Sequence, residues 1–227
     1  MKRIAVFIAS GSGMGADAAK RLSKKGYKIA IMSSSGKGEK LAKKLNGFGF
    51  TGSNLIFSDL EKFIELVLKK YGKIDVLVNS AGHGPKGDIL KFSDKDWYDG
   101  METYFLNVVR SSRLVTPIMK KQKKGAIINI STYAVFEPES SFPTSGIFRA
   151  SLASFTKLYS DQYAKYNIRM NNILPGFINS LKTKKEFIKR IPLRRVGKVE
   201  EVSSLVELLA SDEGSYITGQ NIRVDGG

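Results

Sequence analysis

Short apolar runs alternate with amphipathic stretches along the whole chain. The runs at 4–8, 29–32, 74–78, 126–130, 170–174 and 222–224 are each five residues or fewer and mostly apolar, with Ile or Val in every one and a charged start at Asp75 in the third. Such runs are what strands covered on both faces produce. Between them, residues 14–25, 37–45, 59–71, 94–121, 147–166 and 199–210 carry apolar positions at helical spacing, as in Leu60, Phe63, Ile64, Val67 and Leu68. Ser93, with Asp96 three residues on, predicts a capped start for the long fourth helix. Parallel neighbours need a crossover, and the repeated β-α alternation supplies one each time. The pattern predicts an α/β fold, a Rossmann-type doubly wound parallel sheet of about seven strands with helices on both faces, formed by residues 1–227 as one domain.

Composition narrows the chemistry. The chain has 227 residues, no Cys and one His, so neither a disulfide framework nor a zinc site built on thiolates is available, and no metal site is expected. An apolar content of 42% with 26% charged residues is ordinary for a globular protein, and no apolar run reaches the roughly 18 residues of a membrane span. The apolar stretch at 4–8 is too short for a secretory leader and runs straight into a glycine-rich turn, which predicts a cytoplasmic protein. The net charge of +16 raises nucleic acid as a partner. The lysines are instead scattered over most of the predicted helices, as solvated faces are, and a field of this sign also attracts an anionic cofactor or substrate.

The first strand leads into Ser10-Gly11-Ser12-Gly13-Met14-Gly15 and then into a helix. Glycines there permit a tight turn and close approach of backbone to a pyrophosphate resting on the helix N-terminus. Strand before and helix after is the context a dinucleotide site requires, with Ser10, Ser12, Gly13, Met14 and Gly15 as the candidate contacts. After the second strand, Ser33-Ser34-Ser35-Gly36-Lys37 carries no carboxylate to bind a ribose 2′-hydroxyl, while Lys37 and Lys40 can attract a 2′-phosphate. NADP(H) is therefore the expected cofactor, with NAD(H) the alternative.

With these residues in view, the chain resembles the short-chain dehydrogenase/reductase family along essentially its whole length. The matching landmarks occur in order: Gly13-Met14-Gly15, Asn79-Ser80-Ala81-Gly82, Asn129-Ile130-Ser131, Pro175-Gly176-Phe177-Ile178-Asn179-Ser180, and Tyr216-Ile217-Thr218-Gly219 leading to Asp225-Gly226-Gly227. The resemblance implies that Asn79, Ala81 and Gly82 flank the cofactor and that Pro175, Gly176, Ile178 and Ser180 hold the nicotinamide carboxamide. It also implies a homodimer or homotetramer through helices 94–121 and 147–166. One mild departure is Ala9, which stands where the family has glycine.

The proton-transfer positions depart further. The family's Tyr-x-x-x-Lys pair is expected at Phe148 and Leu152, neither of which can move a proton. Tyr104 falls where the family often has Asn, and Ser131 or Thr132 at the catalytic serine. Candidate replacements for the missing acid are His83, at the carboxyl end of a central strand, together with Tyr104 and Tyr133. The sequence thus predicts an NADP(H)-dependent oxidoreductase moving hydride to or from a small carbonyl, imine or activated alkene with non-standard acid/base residues. The alternative is a catalytically silent NADP(H)-binding sensor or partner subunit. The basic segment 181–191 points to an anionic substrate.

Overall fold

The apolar runs become a seven-stranded sheet, every neighbour parallel, in the order β3-β2-β1-β4-β5-β6-β7. The computed structural model describes residues 2–227. Its strands are β1 Ile4–Ile8, β2 Lys28–Ser33, β3 Phe48–Thr51, β4 Val76–Asn79, β5 Gly125–Ile130, β6 Ile168–Pro175 and β7 Asn221–Val224. The helices are α1 Gly13–Lys24, α2 Lys37–Lys44, α3 Phe57–Tyr71, α4 Asp94–Met101, α5 Asn107–Gln122, α6 Pro143–Tyr163, α7 Lys185–Arg190 and α8 Val199–Ala210. Each central strand contributes alternate residues to two cores. Ala5 and Phe7 meet Ala18, Leu22, Val202 and Val206 on the α1/α8 face, while Val6 and Ile8 meet Phe63, Val67, Val115 and Met119 on the α3/α5 face. Among the described residues no helix is long and apolar enough to cross a membrane.

The structure adds two elements to the predicted set, the edge strand β3 and the short helix α7. It also divides the helix expected at 94–121. Ser93 caps α4 as the sequence predicts, its hydroxyl accepting from the Asp96 N–H while the Asp96 carboxylate accepts from the Ser93 N–H. A π-helical turn at Glu102–Leu106 then separates α4 from α5. It is braced by Arg110, whose guanidinium takes both oxygens of Glu102, and by Asn107, whose amide donates to the Thr103 carbonyl at 2.9 Å. Helix α6 starts at Pro143, earlier than expected, with proline in the first turn where its missing N–H costs nothing.

A row of asparagines crosses the carboxyl half of the sheet. Asn79, Asn129, Asn172 and Asn221 stand in register on β4 to β7. Each passes an amide hydrogen to the next carbonyl, at 2.9, 2.9 and 2.7 Å in turn. Ser111 and Thr156 donate to the Asn79 and Asn172 oxygens from the helices above. Buried amides are tolerated here because their partners are in place.

Candidate active site

The order of the sheet reverses between β1 and β4, the position where open α/β sheets bind ligands beyond the carboxyl ends of their strands. Two adjoining cavities open there, one of about 550 Å³ against the first turn and one of about 400 Å³ over β4, β5 and β6.

The first is built on the β1–α1 turn. Gly13 has φ +61°, a conformation glycine adopts without penalty, whereas Ala9 is held at φ +52° with a side chain. Gly15 has no room for one: a Cβ would lie 2.4 Å from the Ser10 hydroxyl oxygen. Ser10 is buried and donates to the Ile8 carbonyl, so it supports the turn from within and does not face the groove. Ser12 precedes α1 without capping it, and the first turn holds no acid. The leading N–H groups of α1 are therefore left for an external anion, which is what a pyrophosphate requires. Ser12, Gly13 and Ser180 line this groove with Lys20, Lys37, Lys40 and Lys44. Ser33, expected beside the ribose, is 6% exposed, and its oxygen accepts from the Gly38 N–H at 2.8 Å. Ser34 and Ser35 are exposed but do not line the groove. Lys20 and Lys44 stand on the groove wall without having been singled out in the sequence, where Lys37, Lys40 and Lys44 share one helical face.

The second cavity gathers the candidate cofactor contacts Met14, Ala81 and Gly82, the candidate nicotinamide contacts Pro175, Gly176, Ile178 and Ser180, and all four candidate catalytic residues, His83, Tyr104, Ser131 and Thr132. Asn79 is not on its wall; it is 1% exposed and starts the asparagine row beneath. The Ser131 hydroxyl is buried without a partner. The Thr132 hydroxyl accepts from the Ala134 N–H at 3.3 Å. Tyr104 is buried by the π-helical turn; its oxygen accepts from the Gly84 N–H at 2.6 Å, which leaves its own proton uncommitted. Tyr133 donates its proton to Glu139 at 3.0 Å, and burial together with that carboxylate raises its pKa. The same Glu139 oxygen accepts from Arg190 of α7 at 2.5 Å, which ties α7 to the cavity wall. Phe187 of α7 stacks on Phe177 with ring centres 4.8 Å apart. His83 has its pKa lowered, first by burial and then by the charges of Lys86 and Arg149, so it is neutral at neutral pH.

Phe148 and Leu152 do not line this cavity. The Phe148 ring packs edge-on against Trp97 and over Gly100, where a Cβ would come within 2.9 Å of it. Leu152 is 1% exposed, away from the cavity wall. The face of α6 turned to the cavity carries Ser145 and Arg149, four residues apart and so one above the other on the helix. Arg149 is 7% exposed, donates to the Ile130 carbonyl at 2.7 Å, and lies with its guanidinium carbon 4.8 Å from the centre of the Tyr104 ring. Burial lowers its pKa to about 10, which leaves it a cation at neutral pH.

Residues 8–227 match the family model described as enoyl-(acyl carrier protein) reductase. Among curated proteins, the chain is 36% identical to the 3-oxoacyl-[acyl-carrier-protein] reductase FabG of Thermotoga maritima, over 74% of this chain and 71% of the relative. It is 30% identical to FabG of Staphylococcus epidermidis, over 100% of this chain and 99% of that one. Among solved structures it is similar to YwfH, an NADPH-dependent reductase involved in bacilysin biosynthesis, with TM-score 0.93 and 26% identity over 100% of this chain and 98% of that one.

Proposed function

The chain belongs to the short-chain dehydrogenase/reductase family and is an NAD(P)-dependent oxidoreductase; on that premise we propose that it is an NADPH-dependent reductase of a small carbonyl, imine or activated alkene, working without the family's usual proton-transfer pair. Bound NADPH supplies the hydride. The observation that carries the cofactor preference is the groove at the first turn, where Lys20, Lys37, Lys40 and Lys44 surround uncapped N–H groups and Asp17 is the one carboxylate on the wall. A 2′-phosphate meets cations there. The NADPH dependence in the description of YwfH supports the same reading.

Within the second cavity, Tyr104 delivers the proton. Of the candidate acids it is the one whose hydroxyl accepts a backbone N–H while its own hydrogen is free, whereas Tyr133 is committed to Glu139. Ser131 and Thr132 hold the substrate oxygen, the first through a hydroxyl that has no protein partner. In carbonyl reduction the carbon gains hydride, the oxygen gains the Tyr104 proton, and the phenolate is reprotonated from solvent. Ser145 and Arg149, with the four-residue spacing of the family's Tyr and Lys, take the place on α6 that the sequence reading assigned to Phe148 and Leu152. Pairing of copies through the outer faces of α5 and α6 completes the proposal.

An equilibrium titration of NADPH against NADH, followed by energy transfer from Trp97 and the tyrosines, tests it without a substrate. NADPH binding at least tenfold tighter is the expected result. Absence of binding by either nucleotide refutes the reading.

A further inference from the structure

Helix α7 contributes Phe187 to the wall of the second cavity, with Lys184 just before it, yet none of the helix's own residues is buried. Phe187 stacks on Phe177, and Arg190 donates to Glu139. Among the described residues, the latter is the one ion pair that joins α7 to the body of the protein. Its two members differ. The Glu139 side chain is 11% exposed against 57% for Arg190, and the same Glu139 oxygen also accepts from the Tyr133 hydroxyl. A carboxylate so nearly buried is screened less than one in open water, and it depends on both partners to offset its lost hydration.

The chain on either side of α7 can turn. Before it, the Leu181 N–H donates to the Ile178 carbonyl at 3.2 Å, and Leu181, Lys182 and Lys184 are exposed. After it, Arg194 is held at φ +56°, where a residue with a side chain is uncommon, its N–H on the Ile191 carbonyl at 2.8 Å. A void of about 80 Å³ lies beside the ion pair, bordered by Tyr133, Phe177, Arg190 and Ile191. The contact is therefore held by charge and stacking, with free volume next to it instead of close packing.

We propose that Glu139 is the latch of a gate formed by α7, which must swing away from the second cavity before the nicotinamide end of the cofactor enters or leaves. Shut, the Glu139 carboxylate holds Arg190 and Tyr133 together. Open, Arg190 and Phe187 move out with α7 while Glu139 keeps the Tyr133 hydroxyl on the cavity wall. Glu139 is thus a positioning residue that acts through its two partners. The inference rests on the oxidoreductase reading of this cavity and names what controls access to it.

The test follows NADPH binding by stopped-flow energy transfer from Trp97 and the tyrosines. Opening precedes entry and exit alike, so Arg190→Met should raise the association and dissociation rates together, each by roughly three- to tenfold, and leave the dissociation constant within about twofold. Adding Glu139→Gln to Arg190→Met should change either rate by less than about twofold more, because the two residues act through one contact. The chain has no Cys, so Glu139→Cys with Arg190→Cys can be bridged selectively by a short bismaleimide, which should slow association by roughly tenfold or more. Unchanged rates in Arg190→Met, a weakened affinity without faster association, or wild-type association in the bridged protein overturns the proposal. If NADPH itself does not bind, the cofactor reading fails, and hydrogen exchange of the 185–191 amides in the free protein still judges the latch. That exchange should quicken by roughly fivefold or more in Arg190→Met, and equal exchange in the two proteins refutes the latch.

Discussion

Replacing Asn129 with alanine removes the middle of the asparagine row. Two side-chain bonds are lost, the one accepted from Asn79 and the one donated to Asn172, both 2.9 Å long. The Asn172 oxygen keeps the Thr156 hydroxyl at 3.0 Å. The Asn79 amide keeps nothing in exchange, because the residue is 1% exposed and water cannot reach it. An orphaned buried donor costs about 1–3 kcal/mol, and the second bond adds about 1 kcal/mol, so the loss is about 2–4 kcal/mol. At roughly 2–4 °C per kcal/mol for a chain of this size, the melting temperature falls by about 4–16 °C. Urea denaturation with and without NADPH reads the same quantity as a shifted midpoint at constant slope. Asn221→Ala is the comparison: it removes one bond instead of two and leaves the Asn172 amide, on a residue 0% exposed, without its acceptor, so it should cost about 1–3 kcal/mol, about 1 kcal/mol less than Asn129→Ala. If Asn129→Ala were no more destabilising than Asn221→Ala, the row would not be the cooperative buried network described here.

Reversing the charge of Lys37 and Lys40 together should raise the NADPH dissociation constant by roughly tenfold or more, about 1.5 kcal/mol, and leave NADH binding within about twofold. Because burial and two neighbouring cations depress His83 below its ordinary value of 6.5, the unfolded chain binds its proton more readily than the folded one. That contribution to stability is complete above pH 6.5 and is lost as pH falls toward the folded pKa; His83→Gln should remove it in acid melts, and Arg149→Met should move the imidazole NMR titration back up. Ala9→Gly should relieve about 1–2 kcal/mol of left-handed strain, partly offset by about 0.5–1 kcal/mol of backbone entropy, for a net gain of up to about 1 kcal/mol in denaturant melts. Carbonyl reductase activity on general ketone substrates should appear in the pair Ser145→Tyr with Arg149→Lys and not in Phe148→Tyr with Leu152→Lys, since only the first pair faces the cavity.

Much of this architecture could be read from the chain because its central strands are buried on both faces and leave unbroken apolar runs. Strand β3 escaped notice because Phe48-Gly49-Phe50-Thr51 lies at the sheet edge, half-buried, with a glycine where the α2 backbone at Glu39 comes too close for a side chain. The glycine turn and the segment 175–180 stood out by their residues, and both contribute to the cavity walls. The partners of α6 did not. Thr144, Ser145, Arg149, Thr156 and Ser160 are all buried on that helix, so apolar periodicity does not tell which face meets the site, and a three-residue displacement exchanges Ser145 and Arg149 for Phe148 and Leu152. A buried arginine in such a stretch was the one available signal.

The π-helical turn at Glu102–Leu106 also gives the long connection between β4 and β5 a reading frame. An ordinary helix advances about 100° per residue, and a π-bulge inserts one residue that the regular winding would not count. Downstream of it, Asn107, Val108, Ser111, Val115 and Met119 are all buried. Deleting a single residue from the turn would let it relax into an ordinary helix with every one of those positions kept on its present face, whereas deleting one from within α5 would turn the positions beyond it by about 100°. A change of length in this segment is therefore absorbed best at the turn. What such a deletion would alter is the turn itself, and with it Tyr104, which the π-helical winding sets on the wall of the second cavity.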